Sequence, residues 1–246
     1  MIEIDGSKKS GSGTILRLSV ALSAITQEPL HIHNIRHNRK QPGLRPQHLE
    51  SVLTAAKLCN AQTKGAELGS SELWFNPDTI AGGEVTAEIG TAGSISMLLL
   101  TVLPICAYAK KSVSVHVKNG GTDVRSAPTI NYMKYVLFPF LKKMGLNASL
   151  TIKKYGYYPK GMGEVVLNVI PCSNLQPINI TEFGKLIEVE GLSVCTFLEK
   201  QKVAQRQAEQ AKRILEKCGH QTNIQVINDQ SNQFQKGSSL ALWAKT

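Results

Sequence analysis

The chain has 246 residues, 42% of them hydrophobic, enough to bury a real core in one large domain or two smaller ones. A formal net charge of +10 and a pI near 9.4 favour a polyanionic partner, nucleic acid first, over a soluble protein that merely happens to be basic. The five scattered cysteines (Cys59, Cys106, Cys172, Cys195, Cys218) form no C-x-x-C pair, so they suggest neither zinc nor disulfides; they read as reduced, mostly buried thiols of an intracellular protein, cytoplasmic or nuclear.

In chain order, Ile2–Ile4 reads as a strand, and Met1 leads straight into it, which leaves no signal peptide. The stretch Asp5-Gly6-Ser7-Lys8-Lys9-Ser10-Gly11-Ser12-Gly13-Thr14 then leads into an apolar helix, Thr14–Thr26. A strand follows at Leu30–Ile35, then a basic loop, a helix from Pro46 to Cys59 and strands at Ala61–Lys64 and Ser71–Phe75. Proline suits a first helical turn. The order then recurs. Glu84–Ile89 alternates as a strand, Gly90–Ser94 is a second small-residue turn, Ile95–Tyr108 an apolar helix and Ser112–Val117 a strand. A loop at Asn119–Asp123 precedes a helix opened by Pro128 and stopped near Met144 by Gly145, and strands at Ala148–Lys153 and Glu164–Ile170 close the unit.

A β-α-β-α-β-β unit therefore occurs twice, with a period of roughly 80–90 residues. Pro, Ser and Asn cluster at Pro171–Asn179 like a linker. Beyond it the pattern changes to a strand (Leu186–Leu192), a helix (Glu199–Lys217) expected to bury Val203, Ala208, Ala211, Ile214 and Leu215, a strand (Thr222–Ile227), a polar loop and a strand (Leu240–Ala244). The expected class is α/β (α+β), with repeats at 1–80 and 81–178 that pack helices on sheets and a smaller, truncated α/β domain at 179–246. So small a remnant reads as a domain cut short or completed by another chain. The longest apolar run, Ile95–Ala109, holds Pro104 and is short for a bilayer, so no membrane partner is expected.

Two loops concentrate the chemistry. The Gly/Ser-rich turn between strand and helix can cradle an anion with free N–H groups and a helix N-terminus, or serve as a flexible connection. It is neither a Walker A loop nor G-x-G-x-x-G. Between Pro29 and Leu49 there is no Asp or Glu, while Arg36, Arg39, Lys40, Arg45 and four of the six histidines fall there. Arginines suit bidentate phosphate contacts, so this loop grips phosphate or is a solvated basic loop. His31 and His33 face one side of a strand, without an evident third metal ligand. His48 either donates to a phosphate or caps and packs. Tyr155-Gly156-Tyr157-Tyr158-Pro159-Lys160 either stacks on bases or forms a tight hairpin with packed tyrosines.

Together these motifs resemble the RNA 3′-terminal phosphate cyclase family. The matching stretches are Asp5-Gly6-Ser7 with Gly11, Gly13 and Ile15-Leu16-Arg17; Ile35-Arg36-x-x-Arg39 with Pro42-Gly43-Leu44-Arg45-Pro46-Gln47-His48-Leu49; Gly65–Ser70; Thr91–Ser94 with Thr101–Pro104; Gly120–Thr122; Ala127-Pro128; and Gly156–Gly161. The resemblance implies three such repeats with an α/β insert before the last. It also implies ATP-dependent, divalent-metal-assisted adenylylation of a histidine, passage of AMP to an RNA 3′-phosphate, and closure to a 2′,3′-cyclic phosphate. The cofactors implied are ATP with Mg2+ or Mn2+, and the partners are RNA 3′ ends, with a dimer or a completing chain left open.

The resemblance assigns nucleotide contacts to Ser10, Gly11, Ser12, Gly13, Thr14, Leu100 and Pro128, and RNA or phosphate contacts to Arg17, Arg36, Arg39, Lys40, Arg45, Gln47 and His48. It places the nucleophilic histidine in the last repeat, so no catalytic residue and no metal ligand is assigned in this chain. The family pattern carries Gly, Glu, Gly and Gln where Lys9, Ser10, Ser12 and Thr14 stand, and Gln at Leu100. Losing a carboxylate weakens metal binding, and losing amides removes base and phosphate contacts. Three functions are open: an ATP-dependent RNA-end cyclase; a non-catalytic RNA-binding relative, in RNA processing or ribosome assembly, with a degenerate nucleotide pocket; or, from outside the family, a basic structural component of a ribonucleoprotein.

Overall fold

A computed structural model describes residues 1–172 and 174–246. The chain is α/β: three mixed sheets with helices packed on them. Strands β1 (Ile2–Asp5), β2 (Leu30–His33), β3 (Gln62–Lys64) and β4 (Leu73–Asn76) form a sheet of order β1-β2-β4-β3. Strands β5 (Gly83–Glu88), β6 (Val113–Gly120), β7 (Asn147–Lys154) and β8 (Gly163–Ile170) form a second, ordered β5-β6-β8-β7. In each, the first pair is parallel and the other pairs antiparallel. A parallel pair needs a crossover. Helix α1 (Gly13–Thr26) supplies it in the first sheet and α3 (Ile95–Ala107) in the second.

Helix α3 is the centre of the core. It packs on α1, on α2 (Pro46–Leu58) and on the second sheet, so it is apolar all round rather than striped. Ile95, Leu98, Leu99, Val102, Ile105 and Cys106 are fully buried, each large one contributing about 1.5–3 kcal/mol. Val113, Val115, Val117, Val165, Leu167 and Val169 alternate inward from β6 and β8 against it. One continuous cluster thus joins both sheets and fixes how the loops at the helix N-termini face each other.

The third sheet, β9 (Glu188–Thr196), β10 (Thr222–Asp229) and β11 (Gly237–Lys245), runs β10-β9-β11 with α6 (Val203–Lys217) against it. It docks on the second unit through aromatics. Trp243 stacks on Tyr135 at 4.9 Å, and the Tyr157 hydroxyl meets Thr196 Oγ1 at 3.3 Å. Gly237 lies so close to the Tyr157 ring that a Cβ would overlap it.

Several local expectations shift. Strand β2 ends at His33 rather than Ile35, because Asn34 and Arg36 take left-handed φ values of 53° and 56°. Strand β6 runs on to Gly120, into the stretch expected as a loop. The helix expected from Pro128 begins at Ile130, capped by the Thr129 hydroxyl accepting from Tyr132 N–H. It continues as α4 (Ile130–Tyr132), a π-helical turn (Met133–Leu137) and α5 (Phe138–Lys143). On α6 only Ala204 and Ala208 are buried, and Ile214 is 52% exposed. Cys59, Cys106 and Cys195 are buried, but Cys218 is exposed. No helix among the described residues is long and apolar enough to cross a membrane.

Candidate phosphate-binding site

The N-termini of α1, α2 and α3 open onto one cavity of about 790 Å3. Helix N-termini favour acidic residues, yet none of these three first turns contains one. No cap is acidic: Ser12 Oγ accepts from Thr14 N–H at 3.3 Å and Ser94 Oγ from Met97 N–H at 3.2 Å, while the N-cap of α2 is the cationic Arg45. Three partial positive charges therefore converge without a carboxylate to offset them.

Arg17 brings a full charge to the same place. Its side chain rises from the second turn of α1 and is 6% exposed. It has no salt bridge among the described residues, and Nη1 has no hydrogen-bond partner. Burial, then the charge of Arg36, pushes its pKa down to about 10. A buried charge of this kind is ordinarily paired.

His48, on the first turn of α2, is also 6% exposed. Burial and the nearby Arg17, Arg36 and Arg45 push its pKa down to about 3, so it is neutral near pH 7. Its Nδ1 accepts from Arg45 N–H at 3.4 Å, which assigns the ring proton to Nε2. That edge lies directly over Gly13, where a Cβ would overlap the imidazole and stand 2.9 Å from Arg17 Nη1. Only glycine fits there, for space rather than for backbone angle.

The two loops hold each other. Arg39 Nε donates to Gly11 O at 3.4 Å, and Asn38 Nδ2 to Ser7 O at 3.1 Å. Arg36 Nη1 closes its own loop on Gln41 O at 2.7 Å and Gly43 O at 2.8 Å, and burial with Arg39 and Arg45 nearby lowers its pKa. Asp5 accepts from the N–H and hydroxyl of Ser7 and from Asn34 Nδ2, with a pKa lowered to about 2, so it shapes the glycine loop as a carboxylate.

Ser12, Gly13, Thr14, Arg17, Arg36, Arg39, Gln47 and His48 line the cavity. Gln47 is already engaged, its Oε1 accepting from Ser94 N–H at 2.7 Å. Ser10, Gly11, Lys40 and Arg45 are outside the lining; Gly11 acts through its carbonyl, and Lys40 and Arg45 are exposed. Leu100, packed on the core, and Pro128, whose carbonyl accepts from the Ser96 hydroxyl, are also outside the lining. The sequence reading missed the opposite wall: Ser94 and Met97 on α3, Val124-Arg125-Ser126-Ala127 after β6, and Tyr158 from the β7–β8 connection. Its legible signals were the second small-residue turn, Gly90–Ser94, the Ala127-Pro128 pair, and Tyr158 in the aromatic stretch. Among the described residues no group of three His, Cys, Asp or Glu side chains is arranged to hold a metal. His31 and His33 do share a sheet face, but His31 is stacked on Trp74 at 4.4 Å.

Residues 8–242 match the family described as RNA 3′-terminal phosphate cyclase. Curated relatives of that description agree: one from Ignicoccus hospitalis is 42% identical over all of this chain and 70% of its own length. One from Pyrococcus furiosus is 43% identical over all of this chain and 71% of its own length. The chain belongs to the RNA 3′-terminal phosphate cyclase family. A further member, from Pyrobaculum aerophilum, is 41% identical over 99% of this chain and 69% of its own length. The cyclase match runs through every loop that lines the cavity, from Ser12 to Tyr158.

Proposed function

We propose that this cavity grips the terminal phosphate of an RNA 3′ end together with the phosphates of ATP, and that the chain serves ATP-dependent conversion of an RNA 3′-phosphate to a 2′,3′-cyclic phosphate inside the cell. The observation that carries this reading is Arg17: a buried guanidinium with an unpartnered Nη1, placed where three acid-free helix N-termini meet. A phosphate supplies the missing charge and acceptors at once.

In this reading Arg17, Arg36 and Arg39 neutralise the phosphate, and the neutral His48 donates Nε2–H without adding charge. The N-terminal end of α1, at Ser12–Thr14, completes the cradle with its partial positive charge. The chemistry asked of the site is two displacements at phosphorus. First a 3′-phosphate oxygen attacks the phosphorus of an adenylylated histidine, a P–O bond forming as the P–N bond breaks; then the neighbouring 2′-OH attacks the 3′-phosphorus, its P–O bond forming as the bond to AMP breaks, with AMP leaving and the hydroxyl proton passing to solvent. The residues named here bind and orient; none is assigned as nucleophile. The cavity lining contains no carboxylate, and Asp5 is engaged by Ser7 and Asn34, so the residues present do not fit a protein-held divalent ion. The like order of the first two sheets supports a division into repeats at 1–80 and 81–178 and an insert-type unit at 179–246.

The test is fluorescence anisotropy with one oligoribonucleotide ending in a 3′-phosphate and its twin ending in a 3′-hydroxyl. The reading expects at least a tenfold preference for the phosphate; equal affinities would remove it.

A further inference from the structure

The three tyrosines of the β7–β8 connection are treated differently by the fold. Tyr155 and Tyr157 are 7% and 6% exposed, and both hydroxyls have partners: Tyr155 reaches Asn131 Oδ1 and Tyr157 reaches Thr196 Oγ1. Tyr158 is 79% exposed, yet it lines the phosphate cavity together with Arg39 and the Val124–Ala127 loop. An aromatic ring left this open has no packing role.

Its backbone is not left open. Gln235 Nε2 donates to Tyr158 O at 3.2 Å, and Asn232 Nδ2 to Tyr155 O at 2.8 Å. Gly161 N–H closes on Tyr157 O at 2.7 Å, and Tyr157 bridges to Asp123 and Gly161. Asn232 and Gln235 belong to the polar loop between β10 and β11, and both are nearly buried. The third sheet thus reaches across to fix the loop from which Tyr158 projects, and the main chain is held while the ring is free.

We infer that Tyr158 is a nucleobase-stacking subsite for the last nucleotide of the RNA, held in place by Asn232 and Gln235. This rests on the phosphate reading above. A ring presented on a held loop at the wall of the same cavity suits a base in any sequence, because every base offers a π-face. Asn232 and Gln235 are positioning residues: they touch the loop, not the base.

The experiment uses 3′-phosphorylated oligoribonucleotides ending in 2-aminopurine or in an abasic residue. With the wild-type chain, 2-aminopurine fluorescence is quenched on binding, and removing the base weakens binding about tenfold or more. Tyr158→Ala loses the quench and weakens the base-containing ligand by the same factor, but has no further effect on the abasic one. Tyr158→Phe keeps both, since the ring and not the hydroxyl is used. Asn232→Ala with Gln235→Ala reduces the quench while the preference for 3′-phosphate over 3′-hydroxyl is kept, a split that general loss of folding does not produce. Full quench and full affinity in Tyr158→Ala, with the phosphate preference intact, overturn the stacking subsite alone. Loss of the phosphate preference in the wild-type chain overturns the phosphate reading instead.

Discussion

Replacing Arg17 by Met separates binding from stability. The guanidinium is 6% exposed and its pKa falls from 12.5 to about 10, mainly by burial. At about 1.4 kcal/mol per unit, the folded chain carries a penalty of the order of 3 kcal/mol near pH 7, where the group is charged in both states. Methionine fills similar space without charge, and Nη1 leaves no broken partner behind. The free variant is therefore expected to be more stable than the wild type, by up to about 3 kcal/mol, or several degrees in Tm at about 2–4 °C per kcal/mol. Binding should move the other way. Loss of a charge-assisted bond worth about 1.5–3 kcal/mol weakens a 3′-phosphorylated oligoribonucleotide about 10- to 150-fold. Differential scanning calorimetry with and without the ligand reads both: wild type gains Tm with ligand, and Arg17→Met starts higher and gains little. A variant less stable than wild type that binds as tightly would refute the reasoning, because Arg17 would then be a structural arginine.

Gly13→Ala should push His48 aside, destabilise the chain by about 1–3 kcal/mol in denaturant melts and weaken phosphate binding. In the double variant with His48→Ala the stability losses should fall short of additive by at least about 0.5 kcal/mol. His48 has a folded pKa of about 3, below the 6.5 of the unfolded chain, so the unfolded state binds the extra proton between those values. Stability from this residue is full above about pH 6.5 and falls as pH drops toward 3, and His48→Gln should flatten that part of the pH–stability curve. Binding of 3′-phosphorylated RNA should weaken with salt, and Arg39→Ala should reduce the log–log slope by about 0.7; an unchanged slope would place Arg39 outside the contact.

The α/β class and most element positions were legible because alternation and helical spacing are local signals. The glycine loop and the acid-free arginine loop were legible for the same reason: each is contiguous. Arg125 and Met97 were not, since they meet the cavity only after α3 is buried between α1, α2 and the second sheet. Gly13 is the sharpest case. Its need for hydrogen in place of Cβ comes from His48, 35 residues later, and no local pattern announces it. Ile214 erred the other way. Helical spacing marked it as core, but α6 covers only a three-stranded sheet and leaves it half exposed.

The central claim is that the orphaned Arg17 at three acid-free helix N-termini is a phosphate site. A crystal structure with a short 3′-phosphorylated oligoribonucleotide tests it most directly. The terminal phosphate is expected inside the cavity, hydrogen-bonded to Arg17 Nη1 and to His48 Nε2. A phosphate held by exposed lysines outside the cavity, with Arg17 Nη1 still unpartnered, would contradict it.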